Sequence, residues 1–325
     1  QFIFQKNFQA NFDHRWNLPS VKRCSPIIMN FLCGAVWNLS SFPDNPDLTS
    51  RCEGATICTI CRKWVLLRRI TRIGNTKKER VDLKYVISST YDEMSIEAAK
   101  YVADAIKAKP DIVLGLPTGG TPVGMYKELV RLHKEEGLDF SKVRTFNLDE
   151  YLGLDSDHPQ SYRYFMETNL FSHVNIKKEN IHFLSGIAED PNEECLRYEK
   201  AIADVGGIDL MILGIGTNGH IGFNEPANCL QANSHLVALA QSTIEANARF
   251  FEKKEDVPTR AVTMGVGSIL RSKEIILLAS GKSKQDAIYG TTNGVVTLDL
   301  PASLLQLHRD VTLFLDEEAA AKIKK

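Results

Sequence analysis

Asp111-Ile112-Val113-Leu114-Gly115-Leu116-Pro117-Thr118-Gly119-Gly120-Thr121-Pro122 is the stretch on which the fold turns. Its first half is a continuous apolar run with the length of a buried strand. Its second half is a turn rich in glycine and threonine, and from Pro122 to Glu135 apolar residues return with helical spacing at Met125, Leu129 and Leu132. Strand, tight turn and helix in that order make half of a crossover unit. A strand apolar on both faces suits a parallel sheet covered by helices on each side.

The same grammar extends both ways along the chain. Upstream, Lys84–Ser88 reads as a short strand, followed by a helical face of Ala99, Val102, Ala103 and Ile106 that Pro110 closes. Downstream, strands are predicted over Val143–Leu148, Asp209–Leu213, Glu274–Ala279 and Val311–Leu315. Helical stretches near 192–204, 242–252 and 283–289 separate most of them. The expected fold class is therefore α/β, with a mostly parallel sheet and helices on both faces, as a single domain over residues 83–325.

Residues 1–82 read differently. The first 80 hold 13 Lys/Arg against 5 Asp/Glu, although the whole chain of 325 residues has a net charge of only −1. No regular period organises this N-terminal extension, which is left unassigned. Its scatter of arginines loosely resembles an organelle leader. Cys58 and Cys61 have the spacing of a zinc or redox pair, but a structural zinc site needs four ligands and no second pair follows, so no metal site is expected. Near-neutral charge gives no reason to expect nucleic acid as a partner, and no apolar run is long enough to span a membrane. The core reads as a soluble cytoplasmic protein, with organelle targeting left open by the extension.

In an open parallel sheet, ligands bind at the carboxyl ends of the strands, and three motifs fall there. Thr118, Gly119, Gly120 and Thr121 could cradle one phosphate with backbone N–H groups, hydroxyls and a helix N-terminus; a threonine-capped turn is the structural alternative. Phe146-Asn147-Leu148-Asp149-Glu150-Tyr151 closes a strand with two carboxylates, candidates for proton transfer when buried. Gly214-Ile215-Gly216-Thr217-Asn218-Gly219-His220-Ile221-Gly222-Phe223-Asn224-Glu225-Pro226 contains a formal dinucleotide glycine signature. Gly222 and Pro226 break the helix that signature requires, and no acid lies between Glu225 and Glu245, so no nicotinamide cofactor is expected. What remains is His220 in a tight loop with Glu225 five residues on. Arg249 and Lys284 are cations that could join Thr118–Thr121 around a phosphate dianion.

In this order, with His158-Pro-Gln-Ser-Tyr162 and Leu300-Pro-Ala-Ser-Leu-Leu-Gln306, the motifs resemble the glucosamine-6-phosphate deaminase family over about residues 83–320. The resemblance implies one modified doubly wound, Rossmann-like domain. It also implies conversion of glucosamine 6-phosphate and water to fructose 6-phosphate and ammonia, with no metal or organic cofactor. On matching positions, Asp149 would move the proton between C2 and C1, His220 would open the pyranose ring, and Glu225 would orient the histidine. Thr118, Gly119, Gly120, Thr121, Arg249 and Lys284 would hold the 6-phosphate. The family includes monomers and hexamers, which leaves a homo-oligomer open.

Two departures bear on function. Asn218 stands where many members carry aspartate, so Glu225 is expected to be the only ionised partner of His220. The stretch Asn228–Val237 contains no Arg or Lys, where the allosterically regulated type is basic, so activation by N-acetylglucosamine 6-phosphate is expected to be absent or weak. The length of the segment around 228–258 suits a lid over the sugar. Two rival readings are a 6-phosphogluconolactonase-like hydrolase and a sugar-phosphate sensor without turnover. The lactonase pattern has Asp-Glu-Arg and Gly-His-Thr-Ala-Ser where this chain has Asp-Glu-Tyr and Gly-His-Ile-Gly-Phe, and a sensor has no need of Asp149, His220 and Glu225 together.

Overall fold

The structure, a computed structural model, describes residues 83–239, 244, 251 and 257–323. The Cys58/Cys61 pair, Arg249 and, except at Ile244 and Phe251, the helix expected near 242–252 lie outside the described residues. Among those residues the strands are β1 (Lys84–Ser88), β2 (Val113–Leu116), β3 (Arg144–Asn147), β4 (Asp149–Tyr151), β5 (Ile181–His182), β6 (Leu210–Leu213), β7 (His235–Ala238), β8 (Arg260–Thr263), β9 (Glu274–Ala279) and β10 (Val311–Asp316). The helices are α1 (Tyr91–Ala108), α2 (Val123–Glu136), α3 (Tyr162–Asn169), α4 (Pro191–Asp204), α5 (Val266–Leu270) and α6 (Gln285–Asn293).

Seven strands form one sheet in the order β1-β10-β9-β6-β2-β3-β5, and every neighbouring pair is parallel. Sequence order runs outward from β2 through β3 to β5 on one side. The chain then returns to β6 on the other side of β2 and again runs outward through β9 and β10. This is the doubly wound arrangement, and its reversal lies between β2 and β6. Side-chain alternation sorts each strand between two cores. Met211, Leu213, Ile275, Leu277, Leu313 and Leu315 enter one core with Tyr198 of α4 and Ile288 of α6. Leu210, Ile212, Ile276, Leu278 and Phe314 enter the other, with Val102 of α1 and Leu129 of α2. Ile276 and Leu277 are fully buried neighbours on opposite faces, each burial being worth roughly 1.5–3 kcal/mol.

Helix ends follow their sequence signals. Thr90 caps α1 by accepting from the Glu93 N–H, and Asp190 caps α4, with Pro191 at its first position. The expected strand over Asp111–Leu116 begins at Val113, because the chain is still turning at Asp111.

The larger correction concerns Val143–Leu148. This stretch is not one strand that ends in the acidic pair: β3 stops at Asn147, and Asp149 opens β4 in a second, antiparallel sheet of order β4-β8-β7. Leu148 joins the two sheets, donating its N–H to the Leu116 carbonyl at 3.3 Å and accepting from Met264 N–H at 2.7 Å. Within the 228–258 segment, whose length suits a lid, His235–Ala238 forms β7 of this small sheet, and residues 240–243, 245–250 and 252–256 lie outside the described residues.

Candidate active site

The carboxyl ends of β2 and β6 flank the reversal in strand order, the crevice where open α/β sheets take ligands. The Thr118–Thr121 turn follows β2, the His220 loop follows β6, and Asp149 follows β3 across Leu148. At this edge Asn147 donates its side-chain amide to the Leu116 carbonyl at 3.1 Å, and Tyr198 donates its hydroxyl to the Asn147 carbonyl at 2.6 Å. The first bond fixes the ends of β2 and β3 against each other, and the second ties β3 to α4.

Asp149 is 7% exposed. Burial, with a smaller contribution from the Glu150 charge, pushes its carboxyl up to about 8. Glu150 alternates to the other side of β4 and serves a different end. Its carboxylate accepts backbone N–H bonds from Tyr151, Tyr162 and Arg163, each at 2.9 Å, and so clamps the start of α3. Burial raises Glu150 to about 7, while the three N–H bonds oppose the rise. The acidic pair is therefore two carboxylates with separate surroundings, not a matched couple.

The His220 loop is folded on its own backbone. Gly216 donates to the His220 carbonyl at 2.9 Å, and Gly219, with φ +83°, donates to the Gly216 carbonyl at 3.1 Å. The imidazole lies against Gly216 so closely that a Cβ there would fall 2.3 Å from Cε1. His220 Nδ1 is 3.2 Å from Glu225 Oε1, within ion-pair reach but outside hydrogen-bond alignment. Asn218 donates its side-chain amide to Glu225 Oε2 at 2.6 Å and accepts the His220 backbone N–H at 3.3 Å. It thus holds the carboxylate and the loop, not the ring.

The loop is anchored to the small sheet by a Phe223 N–H bond to Thr263 Oγ1 at 3.1 Å and an Asn224 amide bond to the Met264 carbonyl at 2.9 Å. Those anchors bring Gly222 against Asp149: a Cβ built at Gly222, where φ is +56°, would sit 3.4 Å from Asp149 Oδ2. Above this junction Tyr151, Tyr162 and Phe223 pack ring on ring, with centroids 4.6–6.0 Å apart.

In the Thr118–Thr121 turn, Gly119 takes φ +102°, which favours glycine. Gly120 has no such demand, and a Cβ on either residue would meet open space. Among the described residues, none of the N–H groups of 118–121 has a hydrogen-bond partner. The turn's carbonyls face the other way: Tyr126 donates its hydroxyl to the Pro117 carbonyl at 2.6 Å, and the Tyr91 hydroxyl lies 3.3 Å from the Gly120 carbonyl and 3.1 Å from that of Thr121. Lys284, its ammonium lowered by burial, donates to the Ile215 carbonyl at 2.7 Å, at the root of the His220 loop. The turn that carries it is tied down by Asp316, which accepts from the Ser280 hydroxyl and from the Gly281 and Ala319 N–H groups.

Asp149 and the His220–Glu225 loop thus come together, Lys284 reaches that loop, and Thr118–Thr121 lies at the same sheet edge. Thr263, Gly216, Tyr91, Tyr126 and Asp316 are contributors that sequence reasoning missed. Gly216 stood inside the Gly214–Pro226 motif and Tyr126 just past the glycine turn as a signal; nothing marked the others.

The chain matches the family described as glucosamine-6-phosphate isomerases/6-phosphogluconolactonase over residues 88–314. It is 54% identical over 242 residues to a glucosamine-6-phosphate deaminase of Clostridium perfringens, covering 74% of this chain and 100% of that one. It is 56% identical over 241 residues to a glucosamine-6-phosphate deaminase of Thermoanaerobacter sp., covering 74% and 95%. Among solved structures, a monomeric glucosamine-6-phosphate deaminase superposes with a TM-score of 0.72 at 48% identity, over 74% of this chain and 100% of that one. The 6-phosphogluconolactonase of Trypanosoma cruzi, at TM-score 0.60 and 22% identity over 75% and 98%, shares the fold. With the doubly wound sheet, the motif order and these likenesses agreeing, the chain belongs to the glucosamine-6-phosphate isomerase/6-phosphogluconolactonase family.

Proposed function

We propose that the protein is a glucosamine-6-phosphate deaminase, a hydrolytic enzyme that releases ammonia from glucosamine 6-phosphate and leaves fructose 6-phosphate. The observation that carries this reading is Asp149, a buried carboxyl raised to about 8 and set against the His220 loop. A base with a pKa near the working pH combines a usable ionised fraction with a strong pull on a carbon-bound proton. The deaminase relatives at 54–56% identity support the same choice, whereas the lactonases at 22% speak for the fold alone.

In this reading the N–H groups of Thr118, Gly119, Gly120 and Thr121 take the 6-phosphate, with Lys284 and Arg249 adding charge. His220, held near Glu225, passes a proton to the ring oxygen as the pyranose opens. Asp149 then removes the C2 proton, and the C1 aldehyde becomes an enolate with the amine on C2; as the proton returns to C1, an amine N–H proton passes to O1. Return of the proton to C1 leaves an imine at C2. Water adds there and ammonia leaves, so the products are fructose 6-phosphate and ammonia. Binding at the remote phosphate positions C1 and C2 beside the base. A phosphosugar is the partner this site suits, and the cytoplasm the compartment in which we place the enzyme. Of the membrane, the structure says that no described helix is long and apolar enough to cross one.

The test is ammonia release from glucosamine 6-phosphate by the parent and by Asp149→Asn. We expect release by the parent and a loss of at least about a hundredfold in kcat for the variant. A folded parent that binds the sugar phosphate without releasing ammonia would return the sensor reading.

A further inference from the structure

Two tyrosine hydroxyls frame the turn after β2, one from α2 and one from α1. Tyr126 donates to the Pro117 carbonyl from a fully buried position. Tyr91, the first residue of α1, accepts the Gly124 N–H at 2.8 Å and lies 3.3 Å and 3.1 Å from the carbonyls of Gly120 and Thr121. The Gly120 carbonyl also accepts the Val123 N–H at 3.3 Å.

The peptide unit makes these contacts consequential. In a planar trans peptide the C=O of one residue and the N–H of the next point in opposite directions, and no cis bond occurs among the described residues. Turning the Pro117 carbonyl toward Tyr126 therefore turns the Thr118 N–H the other way. Turning the Gly120 carbonyl toward Tyr91 does the same to the Thr121 N–H. The Val123 N–H holds the same carbonyl, so the Tyr91 hydroxyl is the second of two holds against a rotation of the Gly120–Thr121 peptide that would present a carbonyl oxygen to an incoming anion. The approach of α1 is itself close: a Cβ at Gly124 would fall 2.4 Å from Ser95 Oγ and 2.9 Å from the Tyr91 hydroxyl, so glycine at 124 is what lets the phenol reach the turn.

We propose that Tyr91 is a positioning residue for the anion cradle, its hydroxyl locking the Gly120–Thr121 peptide so that the Thr121 N–H faces the phosphate of the substrate. The hydroxyl touches neither the reacting carbons nor the phosphate; it acts through the backbone. The assignment rests on the phosphate reading of the turn given above.

The test is Tyr91→Phe in the full chain, which removes one oxygen and keeps the ring packed. Three readouts are taken: kcat and KM for glucosamine 6-phosphate, the inhibition constant of inorganic phosphate, and the melting temperature with and without phosphate. A hydrogen bond of ordinary net worth predicts that KM and the phosphate inhibition constant both rise about five- to tenfold, with kcat within about twofold of the parent. The rise in melting temperature on adding phosphate should shrink accordingly. A merely structural role would lower the melting temperature without phosphate and leave the inhibition constant unchanged, which overturns the proposal. A fall in kcat at constant KM overturns it too, by placing the hydroxyl in the chemistry. If the parent is not competitively inhibited by phosphate, the cradle reading fails and this proposal fails with it. That outcome is distinguishable because it appears before any substitution is made.

Discussion

At the scale of single residues, Asp149 sets the terms. Its carboxyl stays protonated in the folded protein up to about pH 8, whereas in the unfolded chain it titrates near its ordinary 3.8. Between those values the folded state binds the extra proton, so this group's contribution to stability is full below about pH 4 and is lost as pH rises through 8. Glu150, raised from 4.5 to about 7, acts in the same sense over a narrower window. Asp149→Asn should therefore melt progressively above the parent as pH rises from 4 to 8, by on the order of ten degrees. Parallel melting curves across that range would refute the burial argument. In the proposed reaction Asp149 must be ionised to act as the base, so kcat/KM should climb toward pH 8. Glu150→Gln, which removes a neighbouring negative charge, should move that ascending limb to lower pH. His220 depends on what its neighbour lacks: a methyl at Gly216 would meet the imidazole at 2.3 Å. Gly216→Ala should lower kcat about ten- to a hundredfold with little change in KM, as kinetics of the folded variant will show.

At the scale of elements, the junctions matter more than the strands. Leu148 gives its N–H toward one sheet and its carbonyl to the other, and that handover puts Asp149 at the seam. Asp316, the last residue of β10, holds the Gly281 turn through Ser280 and Gly281 and so sets where Lys284 stands. Asp316→Ala would strand buried N–H groups, with an expected cost of about 1–3 kcal/mol and a raised KM for the sugar phosphate; thermal melting and steady-state kinetics check both. Six of the seven strands of the parallel sheet were legible in sequence because each is an apolar run beside a turn or helix signal. Strands β4, β5, β7 and β8 were not. Asp-Glu-Tyr has no apolar period to betray a strand, and β5 is only two residues long. The positions proposed to carry the chemistry could be named because glycines and histidine at strand ends are informative, whereas the contacts of Tyr91 are to backbone carbonyls, which leave no pattern. Asn218 could be named from its place beside Gly219-His220, but its bond to Glu225 appears only once the loop is closed.

At the scale of the molecule, the absence of Arg and Lys from Asn228–Val237 leads to a further prediction. Saturation by glucosamine 6-phosphate should be hyperbolic, and adding N-acetylglucosamine 6-phosphate should not sharpen or left-shift the curve. A sigmoidal response that this compound abolishes would show a second site built from other residues. The doubly wound order has its own consequence for how the chain comes together. β1 pairs in register with β10, Lys84 opposite Thr312, so the first described strand finds its neighbour only in the last. At about 5–20 residues per second, some ten to forty-five seconds of translation separate the two. During that interval β1 has no partner strand to join, and this end of the sheet is completed only when synthesis of the domain is nearly over.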